Sequence, residues 1–115
     1  MKLASVDSIK DRAIVKVPGD YNKTTKEHLE LEWKKYSVEE AKEFLDSIGR
    51  GATTEDEVIA EALINIGNLT DDDGQKLPYN LELLAQAMNI DYVRKAIVES
   101  FMAVQFGREV LRQKN

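Results

Sequence analysis

Two kinds of apolar spacing divide this chain. Between Glu27 and Tyr36, Leu29, Leu31 and Trp33 alternate with His28, Glu30, Glu32 and Lys34. That period of two marks a strand with one buried face. Residues 12–17 are a shorter β-rich run, stopped by the turn-forming Pro18-Gly19-Asp20. The two runs predict an N-terminal β-hairpin over residues 12–36, preceded by a flexible stretch over 1–11. An isolated hairpin is marginal in water, so Leu29, Leu31 and Trp33 require helices to lie against.

After Tyr36 the spacing becomes helical. Ser37-Val38-Glu39-Glu40 reads as a capping box, opening a helix with Val38, Ala41, Phe44, Leu45 and Ile48 on one face and Gly49 and Gly51 at its close. Thr54-Glu55-Asp56-Glu57 reads as a second box, opening a helix with the stripe Val58, Ile59, Ala62, Leu63 and Ile66, ended by Gly67. A polar loop over residues 70–78 follows. Asn80 then caps a short helix with Leu81, Leu84, Ala85 and Met88 inward, and Asn89 ends it. From Asp91, as cap, the pattern predicts one long helix to Asn115. The expected fold is therefore α+β and mainly helical. It is a single domain over 1–115, with the N-terminal β-hairpin packed on about four helices over 37–115, the last one long.

That last helix carries more apolar surface than one stripe needs. Val93, Ile97, Phe101, Val104 and Leu111 share one face, while Met102, Phe106 and Val110, four apart, fall on another. The second face either packs inside the domain or docks a partner. Burying Met102, Phe106 and Val110 contributes roughly 5–9 kcal/mol gross, against an association cost on the order of 4–15 kcal/mol. One such patch binds weakly alone, so a docking role implies several copies or self-association.

Composition narrows the function. The 115 residues suffice for one domain with a real core. Sixteen Lys+Arg against 21 Asp+Glu give a net charge of −5, and no basic block offsets it, which argues against nucleic-acid binding. The absence of cysteine excludes disulfides and thiol chemistry. The opening Met1-Lys2-Leu3-Ala4-Ser5-Val6 starts like a signal peptide, but Asp7 and Lys10 break it. No run reaches the length of a membrane span. The expectation is a cytoplasmic protein with no membrane partner.

Candidate chemistry is sparse. With Gly74 at the glycine position of an EF-hand loop, Asp71 and Asp73 fall on ligand positions. Leu69 and Asn80, however, occupy the first and the bidentate positions. The loop reads instead as a solvated turn, with Gly74 supplying a positive φ. His28, the single histidine, lies on the outer strand face with no second histidine or cysteine to converge with it. No phosphate loop, nucleophile elbow or metalloprotease helix is present. Catalytic, cofactor and metal residues are all expected to be absent. The partner-binding candidates are Met102, Phe106 and Val110.

Leu29-Glu30-Leu31-Glu32-Trp33 leading into the Ser37 capping box, Leu69-Thr70-Asp71-Asp72-Asp73-Gly74 through Leu77-Pro78-Tyr79-Asn80, and the Ala/Phe-rich last helix together resemble the tail assembly chaperones of long-tailed, non-contractile phages and prophages. The resemblance covers residues from about 12 to the end. Relatives often carry an aromatic just before the Asp-rich loop, where this chain has Gly67-Asn68. The resemblance implies a non-enzymatic protein of the host bacterial cytoplasm, absent from the mature virion. Such a protein binds the tape measure protein, keeps it soluble, and helps recruit tail tube protein through a frameshifted longer form. Gln113-Lys114-Asn115 is compatible with an A-rich slippery codon heptamer, as a frameshift site would require. A structural head–tail, neck or minor tail protein retained in the virion is the alternative.

Overall fold

The computed structural model describes residues 3–107. Strands β1 (Ser8–Pro18) and β2 (Thr24–Lys34) form an antiparallel hairpin that sets Ile9 opposite Trp33, Ala13 opposite Leu29 and Pro18 opposite Thr24. Alternation along both strands buries Ala13, Val15, Leu29, Leu31 and Trp33, while Lys10, Arg12, His28, Glu30 and Lys34 face solvent. The alternation expected in β2 is thus present. The hairpin starts earlier than expected, because residues 8–11, read from sequence as flexible, belong to β1. Polar Lys10-Asp11-Arg12 hid this strand start. Asp11 falls on the inward-facing side, where the Ser100 hydroxyl donates to its Oδ2 at 2.7 Å.

Four helices follow among the described residues: α1 (Val38–Gly49), α2 (Glu55–Ala62), α3 (Leu81–Met88) and α4 (Asp91–Phe106). The Ser37 capping box is complete. Ser37 Oγ accepts from the Glu40 N–H, and the Glu40 carboxylate accepts from the Ser37 N–H. The box expected at Thr54 is half-formed. Thr54 Oγ1 accepts from the Glu57 N–H, but the Glu57 carboxylate turns to the Thr53 hydroxyl at 2.9 Å. Asn80 caps α3 as expected, accepting from the Leu83 N–H at 2.8 Å. The N-cap of α4 is Ile90 rather than Asp91, whose carboxylate accepts from the adjacent Tyr92 N–H.

The second helix is shorter than its apolar stripe suggests. It ends at Ala62, and Leu63–Ile66 forms β3, paired antiparallel with β2 to complete a sheet in the order β1-β2-β3. A bulge between Glu32 and Trp33 shifts the register, so that Leu63 and Ile66 are both buried. Spacing of three suits a helix and a bulged strand equally, which is why the stripe alone misled. Gly67 therefore ends a strand, its N–H donating to the Glu30 carbonyl. The fold is mixed α+β, with a three-stranded sheet in place of a hairpin.

Helix α4 packs on β1 and β2 and touches α1 and α3, so the other elements gather around it. Ile97 and Phe101 are buried at its centre, with Phe101 edge-on to Trp33 at 5.5 Å between ring centroids. The helix stops at Phe106, before Gly107, whose φ of 89° is open to glycine and strained for other residues. The single helix expected to run to Asn115 is thus interrupted here. Val110, Leu111 and the 113–115 tripeptide lie outside the described residues. No helix among the described residues is long and apolar enough to cross a membrane.

Candidate partner-binding surface

Two polar side chains fix α4 on the sheet. Trp33 Nε1–H donates to Ser100 Oγ at 2.9 Å, and Ser100 donates onward to Asp11. Five residues on, buried Gln105 grips the end of β2. Its Nε2 donates to the Lys34 carbonyl at 2.6 Å and its Oε1 accepts from the Tyr36 N–H at 3.1 Å. Ser100 and Gln105 are the polar residues among the buried positions of α4, beside Ala96, Ile97, Phe101 and Ala103. Their partners are not readable, because they lie 67 to 89 positions away.

This seating decides how the expected site residues are presented. Met102 and Phe106 are half-buried and packed against the core cluster. Together they form the rim of the domain interior, with only part of each side chain open to solvent. Val110, the third member of that group, is outside the described residues.

More open apolar surface lies elsewhere. On α1, Ala41 is buried and Phe44 and Ile48 are half-buried, Phe44 resting edge-on against Tyr36 at 4.6 Å. At 100° per residue, Val38 and Leu45 lie within about 20° of each other on one flank of that stripe. They are 69% and 43% exposed. Glu39, Glu40, Glu43 and Asp46 carry negative charge along the same helix. A concavity of about 320 Å³ lies between α2 and α3, lined by Ala60, Leu84 and Met88, by Leu81 at 65% exposure and by the polar Asp56, Asn89 and Arg94. Within it Arg94 makes a two-pronged bond to the Asp56 carboxylate. That bond, with nearby Glu55 at 3.8 Å, raises the Arg94 pKa above its ordinary value.

The charges are segregated between the two halves. Residues 8–35 carry seven Lys and Arg against five Asp and Glu, whereas residues 36–107 carry five against fourteen. The helical half is therefore strongly acidic and the sheet hairpin slightly basic.

The Asp-rich loop is a self-contained turn. Asp71 Oδ1 accepts from the N–H groups of Asp73 and Gln75, both at 2.9 Å, and Gly74 takes a φ of 79°. One oxygen of the Asp71 carboxylate is thus engaged by the turn itself. His28 is exposed on the outer sheet face, and its carbonyl accepts from Asn68 Nδ2 at 2.7 Å. Asn68 also accepts from the Glu30 N–H, so its side chain continues the β2 pairing past β3. Among the described residues, no group of three or more His, Asp and Glu side chains is placed to hold a metal ion.

Burial raises the Tyr36 and Tyr79 phenols above their ordinary pKa, Tyr36 with added repulsion from Glu61 and Glu40. Neither hydroxyl has a hydrogen-bond partner among the described residues. What the described residues offer is apolar surface set in an acidic body. In comparisons with known proteins, no family model, no curated protein and no solved structure matches this chain.

Proposed function

We propose that this chain is a phage tail assembly chaperone that binds the tape measure protein and keeps it soluble until tube subunits assemble. The proposal begins from the sequence resemblance. The observation that carries it further is the uncovered flank of α1. Val38 and Leu45 stand exposed on a well-capped, acidic amphipathic helix. An apolar stripe on a firm helix is a natural seat for an amphipathic helical client. The half-buried edges of Met102 and Phe106 add apolar contact area on α4, which touches α1. The surrounding acidic surface keeps the chaperone itself soluble while its apolar stripe is empty.

Each such patch is small, so useful affinity comes from several copies acting along one long client. Self-association is part of the proposal, as is a longer frameshifted form that recruits tail tube protein. The protein acts in the host bacterial cytoplasm and leaves before the virion is complete.

Co-expression with a tape measure fragment tests the reading. The native chain is expected to hold the fragment in the soluble fraction. The double variant Val38→Asp, Leu45→Asp is expected to lose it while its own stability moves by only about 0.5 kcal/mol, as for exposed positions. A fragment that stays insoluble with the native chain sinks the proposal. Stoichiometric recovery of the chain from purified particles would assign it to the head–tail, neck or minor tail structure instead.

A further inference from the structure

Strand β1 leaves one side of its backbone unpaired. It lies at the edge of the sheet, with β2 as its partner and no strand beyond it. In an antiparallel pair, every second residue turns its N–H and C=O away from the partner. The two ends of the hairpin fix which residues those are. The Gly19 N–H donates to the Lys23 carbonyl and the Lys35 N–H to the Asp7 carbonyl, so the odd-numbered residues of β1 bond to β2. On the far side of β2, His28 and Glu30 show the same parity, turning to Asn68 and Gly67. Lys10, Arg12, Ile14 and Lys16 therefore point their backbone groups outward, and among the described residues no backbone group meets them.

Edges of this kind are usually blunted by short strands, bulges or proline. Strand β1 has 11 residues in unbroken register with β2, and its proline stands last. What it carries instead is charge of one sign. Its outward-facing side chains at 10, 12, 14 and 16 are Lys, Arg, Ile and Lys, and Lys26 stands opposite Lys16. Arg12 has Glu30 at 3.6 Å, while Lys10, Lys16 and Lys26 have no carboxylate within ion-pair distance among the described residues. Like charges opposed across strands destabilise a pair. This edge thus repels a second copy of itself and admits an acidic strand. A cleft of about 690 Å³ lies alongside, between Ile14 and Lys16 on one side and Tyr92, Lys95 and Glu99 of α4 on the other. Its own acids are engaged, Asp91 by the Tyr92 N–H and Glu99 by Lys95 at 4.0 Å.

We propose that β1 receives an extended acidic segment of another protein as a fourth strand of the sheet, in the cleft between the β1 edge and α4. Main-chain bonds to Lys10, Arg12, Ile14 and Lys16 hold the segment, and its alternate side chains select it. Acidic residues face Lys10, Arg12 and Lys16, and an apolar residue faces Ile14, which is 51% exposed. This surface shares no residue with the α1 flank. It does not rest on the chaperone reading, because its test requires only the purified chain and a synthetic peptide.

Amide hydrogen exchange of the isotope-labelled chain tests it, with the peptide Thr-Glu-Thr-Val-Thr-Glu-Thr-Glu-Thr as probe. In the free chain the amides of Lys10, Arg12, Ile14 and Lys16 should exchange readily, while those of Ala13 and Val15 are protected. The probe should slow the four outward amides by about tenfold or more. A peptide with Lys in place of Glu should not. N-methylation of the probe at Val, whose N–H faces β1 in antiparallel pairing, should abolish the effect, whereas N-methylation at a neighbouring Thr should leave it. Lys16→Glu should weaken binding by about fivefold, with a melting temperature unchanged or higher, because Glu then faces Lys26. Outward amides already protected in the free chain overturn the proposal. So does the absence of slowing at about 1 mM probe, the weak limit of specific affinity, or binding that survives N-methylation at Val.

Discussion

Trp33 and Ser100, 67 positions apart, meet in a buried hydrogen bond of 2.9 Å that fastens α4 to the central strand. Ser100 passes the interaction on to Asp11 of β1, so one hydroxyl ties together three elements. Ser100→Ala leaves the indole N–H buried without an acceptor, which costs about 1–3 kcal/mol. Urea unfolding followed by fluorescence of Trp33, the sole tryptophan, measures it. A loss below about 0.5 kcal/mol, the level of an inert surface change, would show that the bond does not hold the helix.

The two N-caps that looked alike in sequence differ in structure, and their variants should differ too. Ser37→Ala removes the two bonds of the hydroxyl, which accepts from the Glu40 N–H and donates to the Glu40 carboxylate, and keeps the bond from the residue 37 N–H, whereas Thr54→Ala removes one. Both losses should lie within about 0.5–2 kcal/mol, with Ser37→Ala the larger. Hydrogen exchange at the first turns of α1 and α2 separates the local effects. Greater opening at α2 in its variant than at α1 in its own would contradict the ordering.

Tyr36 and Tyr79 bury hydroxyls with no partner among the described residues. Tyr36→Phe and Tyr79→Phe should therefore be neutral or stabilising by up to about 1 kcal/mol. The raised phenol pKa values set the pH dependence. A folded-state pKa above the unfolded value of about 10 means that this contribution is complete below pH 10 and is lost as pH rises through the folded value. Melting temperatures across pH 8–11 should fall at the alkaline end, and the Tyr36→Phe, Tyr79→Phe double variant should flatten that fall. An unchanged alkaline slope in the double variant would assign it to other groups.

Phe106→Asp and Val38→Asp probe opposite kinds of apolar position. Phe106 packs against the core, so a carboxylate there should destabilise by about 2 kcal/mol or more. Val38 is largely exposed at the first position of α1, where an acidic residue suits the helix dipole, so its change should be near neutral. Thermal melts of the two variants decide it. Equal stability would mean that Phe106 is as free as Val38 and that the α4 edge is an open docking face.

Several elements were legible because their signals are local. The alternation of Leu29, Leu31 and Trp33 depends only on strand geometry, and the Ser37 and Asn80 caps depend on residues three positions away. Gly74 in its turn is equally local. The misread elements lacked local signals. In the stretch Leu63–Ile66, a bulged strand and a helix end produce the same spacing, and pairing with residues 31–33 decides between them. The candidate surface was legible only in part. Apolar excess on α4 was visible, but Val38 and Leu81 look like ordinary helix residues until their exposure is known.

The sequence by itself determined where the α1 and α3 starts and the β2 face lie, because caps and periodicity act over a few residues. Tertiary structure alone decided that residues 8–11 join the sheet, that Met102 and Phe106 lean on the core, and that Val38 and Leu45 do not. Those outcomes depend on partners tens of residues distant, such as Ser100 for Asp11 and β2 for β3. Burial is a property of the assembled surface, and no short stretch of chain encodes it.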